Sequence, residues 1–364
     1  MNQNNIISLV LRKDVMLSEY TTIGLGGPSE YFLICSNTED IISGLKFASE
    51  NNLPVQVLSG GSNIIFPDKG YDGLIFKIDA KGIEINEEGN KVCVNVKAGE
   101  VWDDVVNFCI ERSLTGIECL SGIPGSTGAT PVQNVGAYGQ EVKDVIESVT
   151  AIDRKTPEIV TFKNAECNFG YRQSRFKNED KDRFIITEVQ FLFNKNNQPI
   201  IRYPELQKFI DSKKYKEREY SLKDKLTQTR NAVLELRKGK SMLIDLNDPN
   251  SRSCGSFFMN PVINENEYIK FISFTQNFIK NNNKEQIPVF RSGDKYKLSA
   301  AWLIEKSGFH KGFKKGGVGI SEKHSLSLIN INGTTKELLE LSSDIITKVF
   351  EKTGIILKTE PVVV

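Results

Sequence analysis

Gly122-Ile123-Pro124-Gly125-Ser126-Thr127-Gly128-Ala129-Thr130-Pro131-Val132-Gln133-Asn134-Val135-Gly136-Ala137-Tyr138-Gly139 is the stretch on which the reading of the fold turns. It carries no charged side chain, and it is rich in glycine and small hydroxyls. A solvated linker would be more charged, so an ordered loop lying against a ligand fits better. A second loop, Leu58-Ser59-Gly60-Gly61-Ser62-Asn63, lies between two apolar runs. Consecutive glycines let amides point the same way and approach a ligand closely, a nest that suits a pyrophosphate without needing a cation. Alone, the shorter loop reads equally well as a tight turn between strands. Together the two loops point to dinucleotide binding. Neither is a Rossmann fingerprint, which needs GxGxxG directly between a strand and a helix. The nearest match, Gly24-Leu25-Gly26-Gly27-Pro28, lacks the third glycine, and no Walker A pattern occurs.

Outward from these loops the chain alternates strands and helices. Tyr31 to Ile34, Val55 to Leu58, Leu74 to Ile78 and Val92 to Val96 read as strands. Ser36-Asn37-Thr38-Glu39 fits a capping box, followed by Ile41, Ile42, Leu45, Phe47 and Ala48 at roughly helical spacing. Val101, Trp102, Val105, Val106 and Cys109 mark one face of another helix. Asp211 to Arg230 interleaves both charge signs, as in Lys216-Glu217-Arg218-Glu219. It reads as a solvated helix or loop and a candidate domain boundary. Leu298 to Lys306 and Glu337 to Phe350 read as helices, the latter ending at Gly354, and Leu326 to Asn330 reads as a strand.

The 364 residues suggest two or three domains. A composition 39% hydrophobic and 26% charged excludes wholesale disorder. No window approaches the ~20 apolar residues of a membrane-spanning helix. Forty-seven basic against 46 acidic residues leave a formal charge of +1, so no basic footprint for nucleic acid or an anionic membrane exists. Ile6 to Leu11 is too short for a secretory signal, and Arg12 and Lys13 follow it. Six scattered cysteines without a CxxC pair, with two histidines, argue for reduced thiols in a cytoplasmic protein and against a metal site.

Ser59 to Asn63, Ile123 to Ala129 and Gln133 to Gly139 resemble the UDP-N-acetylenolpyruvoylglucosamine reductase family, flavoenzymes that complete UDP-N-acetylmuramate synthesis for peptidoglycan. Phe169-Gly170-Tyr171-Arg172-Gln173-Ser174, Gly255-Ser256-Phe257-Phe258 with Asn260-Pro261, Ala301-Trp302-Leu303-Ile304 and Glu360 follow in register. The resemblance runs from about Leu17 to Glu360. It implies an α+β chain: a two-lobed FAD-binding domain of the vanillyl-alcohol-oxidase/PCMH type plus an α+β substrate-binding domain. The lobes would span 1–80 and 81–236, with 355–364 returning to the second, and the substrate domain 237–354.

The resemblance also implies the chemistry. NADPH reduces FAD, flavin N5 gives hydride to the enol carbon, and Ser256 gives the proton. Arg172 would stabilise the carboxylate charge, since a guanidinium grips a carboxylate with paired hydrogen bonds, and Glu360 would assist. Pro361 follows this glutamate, a departure from the family's pattern. FAD would be met by Ser59, Gly60, Gly61, Ser62, Asn63, Pro124, Gly125, Ser126, Gly128, Ala129, Gln133, Asn134, Gly136 and Ala137. With no histidine in either loop, it would be held noncovalently. Tyr203, in the manner of the family's longer subclass, would join Arg237 and Lys240 at the substrate's diphosphate, with Asn260 and His324 nearby. The chain would act as a monomer on small molecules. Two rivals are a flavin-dependent alcohol or sugar oxidase of the same fold, and a non-catalytic flavin- or sugar-nucleotide-binding protein.

Overall fold

The computed structural model describes residues 9–195, 197–213, 220–279 and 287–364. They form two compact units, one drawn from the described residues within 9–15, 29–60 and 71–243, the other from those within 16–28, 61–70 and 244–364.

In the first unit, β1 (Pro28–Cys35), α1 (Thr38–Glu50), β2 (Val55–Leu58) and β3 (Tyr71–Ile78) build a sheet in which β3 lies parallel between β1 and β2. Ile41, Leu45 and Ala48 recur at helical spacing and bury α1 in a core with Leu33 and Phe76. Each large apolar side chain so buried contributes roughly 1.5–3 kcal/mol. The cap of α1 sits one residue later than expected. Asn37 accepts from the Asp40 amide at 2.8 Å, and the Asp40 carboxylate accepts from the Ser36 and Asn37 amides. The helix begins at Thr38, so Asn37 is its N-cap and Asp40 holds the N3 position that the capping box requires.

The larger sheet of this unit contains β4 (Ile83–Glu88), β5 (Lys91–Lys97), β6 (Ile146–Asp153), β7 (Ile159–Lys163) and β8 (Phe184–Asn194). Its order is β7-β6-β8-β5-β4, antiparallel throughout. Val92, Val94 and Val96 alternate into the core. Helix α2 (Trp102–Glu111) lays Trp102 against Phe191 of β8, ring centroids 5.8 Å apart. Helices α3 (Pro204–Ser212) and α4 (Leu222–Gly239) follow. The charged stretch thus includes the start of α4, which buries Leu226 and Thr229. Lys216-Glu217-Arg218-Glu219 lies outside the described residues. The boundary expected at 236/237 falls inside α4, whose hydrogen bonds make it a poor place to divide the chain.

The second unit holds α5 (Glu265–Ile279), β9 (Val289–Ser292), β10 (Lys295–Leu298), α6 (Ala300–Lys306), β11 (Val318–Ile320), β12 (Leu328–Asn330) and α7 (Thr335–Thr353). Helix α7 buries Leu338, Leu341, Ile345 and Val349, opens on a Thr334/Glu337 capping box and ends at Gly354, φ +69°. Residues 16–28 and 61–70 join this unit because it satisfies their hydrogen bonds. Thr22 donates to the Ser253 carbonyl at 2.6 Å, and Asp68 caps α7 through the Thr335 amide at 2.7 Å. The C-terminal segment, expected to return to residues 81–236, instead lays Val362–Val363 parallel to Ile64–Ile65.

Candidate active site

In the first unit the two glycine-rich loops meet backbone to backbone. A Cβ on Gly60 would lie 2.5 Å from Gly125 Cα, so Gly60 can carry no side chain there. The Ser59 and Ser126 hydroxyls bond each other, and the Ser126 amide donates to Ser59 Oγ at 3.3 Å. The long loop is laced to the β5–α2 connection: Thr127 donates to the Glu100 carbonyl at 2.8 Å and Gly128 to that of Ala98 at 2.9 Å. Pro124 precedes the contact, and Thr127–Ala129 makes one helical turn. Gly136–Ala137 then pairs with Gln140–Glu141 in a tight hairpin across Tyr138 and Gly139, both at positive φ. The two loops expected to hold FAD are thus brought together as one ordered surface of main chain and hydroxyls.

Beyond Gln133 the loop continues into Asn134, fully buried, whose amide donates to the Gly170 carbonyl and the Glu141 carboxylate, both at 2.9 Å. Arg172 donates to the Gly136 carbonyl at 2.9 Å. Arg237, expected at the substrate's diphosphate, is buried, and its guanidinium donates to the main-chain carbonyls of Gly122 at 3.2 Å and Met242 at 2.7 Å. It braces the start of the loop from α4. Burial pulls its pKa down; Tyr138 and Asp103 oppose this, and Arg172 adds to it, so the two guanidiniums lie within electrostatic reach. Tyr203 stacks edge-on against Tyr138, centroids 5.4 Å apart. Burial raises the Tyr138 phenol to about 12, against the pull of Arg237. Lys240 sits just past α4 and pairs with both oxygens of Glu205 at 3.0 Å. Tyr203 and Lys240 are therefore joined through α3.

In the second unit Gly61, at φ +66°, presses so close to the Tyr20 carbonyl that a Cβ would lie 1.8 Å from its oxygen. Ser62 and Asn63 follow. Gly255, also at positive φ, delivers the half-buried Ser256. The Phe257 amide donates to the Leu326 carbonyl at 2.7 Å, and the Phe257 carbonyl accepts from the Glu360 amide at 2.9 Å. Asn63 donates from Nδ2 to the Glu360 carbonyl at 3.4 Å and accepts on its own carbonyl from Val362. Ser256, Glu360 and Asn63 thus belong to one hydrogen-bonded ribbon. Pro361 does not break it, because the pairing uses the amides of Glu360 and Val362. His324 accepts the Leu326 amide on Nδ1 at 3.0 Å, one residue pair from Phe257. Asn260 spends its side-chain oxygen on the Ala300 amide at the start of α6. Trp302 packs edge-on against Phe271.

Several contributors escape a reading of the sequence. Lys77 of β3 donates to the Ser59 carbonyl at 2.8 Å, and burial lowers its pKa. Its signal is a lone charge within Leu74-Ile75-Phe76-Lys77-Ile78. Asp103 holds the Gly122 amide at 2.6 Å and both ends of the Arg230 guanidinium at 2.6 and 2.7 Å. Burial would raise its carboxyl, but these bonds outweigh burial and keep it below its ordinary value. Nothing in the spacing of Asp103 and Arg230 announces that pair.

Residues 29–163 match the FAD-binding domain family, and residues 248–364 match the C-terminal domain of UDP-N-acetylenolpyruvoylglucosamine reductase. The reductase of Thermobifida fusca is 40% identical over 360 residues, covering 97% of both chains. That of Streptomyces coelicolor is 39% identical over 355 residues, covering 96% of this chain and 89% of its own. The crystal structure of the Thermus caldophilus reductase superposes with a TM-score of 0.63 at 23% identity, over 97% of this chain and 99% of the other. Identity of 39–40% to the Thermobifida and Streptomyces reductases over nearly the full length of this chain places it in the UDP-N-acetylenolpyruvoylglucosamine reductase family.

Proposed function

We propose that the chain reduces UDP-N-acetylglucosamine enolpyruvate to UDP-N-acetylmuramate for peptidoglycan synthesis, with NADPH as reductant and FAD as carrier. Bound FAD would supply the hydride. Hydride arriving at the terminal enol carbon leaves negative charge on the substrate's carboxylate, which Arg172 would balance by a bidentate, charge-assisted grip. Ser256 would protonate the adjacent carbon. A serine hydroxyl is a weak acid, so this role requires neighbours that stabilise the oxygen left behind. Glu360 and His324 are carried by the segments that hydrogen-bond to Phe257. Tyr203 and Lys240 would take the diphosphate, with Glu205 giving up its ion pair as the phosphates arrive. The oxygen-consuming oxidase alternative would need a different donor. Six unpaired thiols support a cytoplasmic setting.

The observation that carries this reading is the ribbon joining Phe257 to Glu360, which puts the serine and the glutamate of the family's motifs on paired segments. Purified, FAD-loaded protein under low oxygen should consume NADPH only when the enolpyruvyl substrate is present. Ser256→Ala should still let NADPH bleach the flavin but lose substrate-driven recovery of its colour. Folded, FAD-loaded protein that shows no substrate-dependent consumption would sink the reading.

A further inference from the structure

We propose that Asn134 is a positioning residue for Arg172, so that the cofactor loop and the carboxylate-binding guanidinium behave as one piece. The inference rests on the reductase reading above and concerns a residue expected to touch FAD. Asn134 is fully buried at φ +47°. Its amide nitrogen donates to the Gly170 carbonyl and to Glu141 Oε2, each at 2.9 Å, and its oxygen accepts from the Lys143 amide at 3.2 Å. Both ends of the side chain are therefore committed inside the protein.

Gly170 begins the turn that presents Arg172. Gly170 and Gln173 exchange main-chain hydrogen bonds of 3.0 and 3.2 Å, leaving Tyr171 and Arg172 as the central pair. Arg172 has φ +55°, a conformation that a side-chain-bearing residue keeps only where its surroundings over-determine it. Asn134 supplies that constraint at the root of the turn. The loop grips the other end too, since the Arg172 guanidinium donates to the carbonyl of Gly136, two residues on. Gly136 is kept bare by its own hairpin, since a Cβ there would stand 2.9 Å from the Gln140 carbonyl oxygen, and the guanidinium lies alongside, with Arg172 Nη1 3.6 Å from that Cβ position. Ser174 ties the far side of the turn to the Val132 carbonyl at 2.5 Å. One loop thus fixes both the backbone and the guanidinium of Arg172.

The test uses full-length, FAD-loaded protein and separates the two half-reactions. Asn134→Gly keeps the positive φ without strain and removes the clamp together with a fully buried side chain, so the thermal midpoints of the variants are compared first. Asn134→Gly should lose substrate-driven recovery far more than it loses flavin retention or NADPH bleaching. Recovery of flavin colour on adding the enolpyruvyl substrate should slow on the order of 100-fold, the scale of a ~1 Å misplacement. In an Arg172→Ala background the same change should slow recovery less than about twofold, because its effect passes through the missing guanidinium. Should Asn134→Gly not fold, Glu141→Ala loosens the clamp from its partly exposed side and should show the same pattern at smaller size. Multiplying losses in the double variant, or equal damage to flavin retention and NADPH bleaching, would overturn the proposal. Absence of substrate-driven recovery in the wild type would remove the reductase reading and this proposal with it.

Discussion

At single residues, the loops tolerate little because main chain meets main chain. Gly61 has no room for a methyl group against the Tyr20 carbonyl, and no rotamer relieves a clash at Cβ. Gly89 shares the left-handed conformation, φ +57°, but nothing lies within 4 Å of where its Cβ would be. Gly89→Ala should cost only the conformational strain of about 1–2 kcal/mol. Gly61→Ala should cost clearly more and lower the thermal midpoint further. Equal shifts for both in thermal melts would show that the contact at Tyr20 is not the limiting one. The role of Asn134 is also decided here. Its side chain was legible as polar in a ligand-facing loop, but a side chain's partner depends on which distant strand or turn folds against it.

At the scale of elements, Asp103 and Arg230 tie α2 to α4 at the mouth of the long loop. The carboxyl is held below its ordinary range in the folded protein, so its contribution is present above that range and disappears as acid protonates it. Wild-type stability should therefore drop as pH falls below the ordinary aspartate value, and Asp103→Asn should flatten that part of the curve. At neutral pH the substitution should cost about 1–2 kcal/mol, a charge-assisted pair discounted for partial exposure. Denaturant titrations at a series of pH values check both. An unchanged acid limb would mean other carboxylates dominate it. Helices α1, α2 and α7 were visible in the sequence because their burial repeats at helical spacing within one short window. Strands β6 and β8 were not read, although β8 is central to its sheet. Strand β8 pairs with a strand nearly a hundred positions earlier, as where Val189 meets Val96, and β6 pairs with β8 about forty positions on, as where Val149 meets Val189.

At the scale of the whole molecule, burial governs the six thiols. It raises those of Cys109, Cys167 and Cys254 to about 12 and shifts Cys35 and Cys119 upward as well. Cys93 alone is half-buried, and its thiol is also raised. A thiolate-specific reagent should label native protein slowly and first at Cys93, and should reach all six cysteines once the chain is unfolded. Prompt labelling of several thiols in the native state would contradict this packing. The sequence by itself determined the family, the mixed α and β content and the glycine-rich runs on which the proposed FAD contacts rest, because those properties reside in local runs of residues. Tertiary structure alone decided that residues 61–70 and the C-terminal strand pair together, that Arg237 braces a loop, and that Asn134 holds the turn of Arg172. Those outcomes depend on which buried donors and acceptors meet, and only the folded chain brings them within about 3 Å of each other.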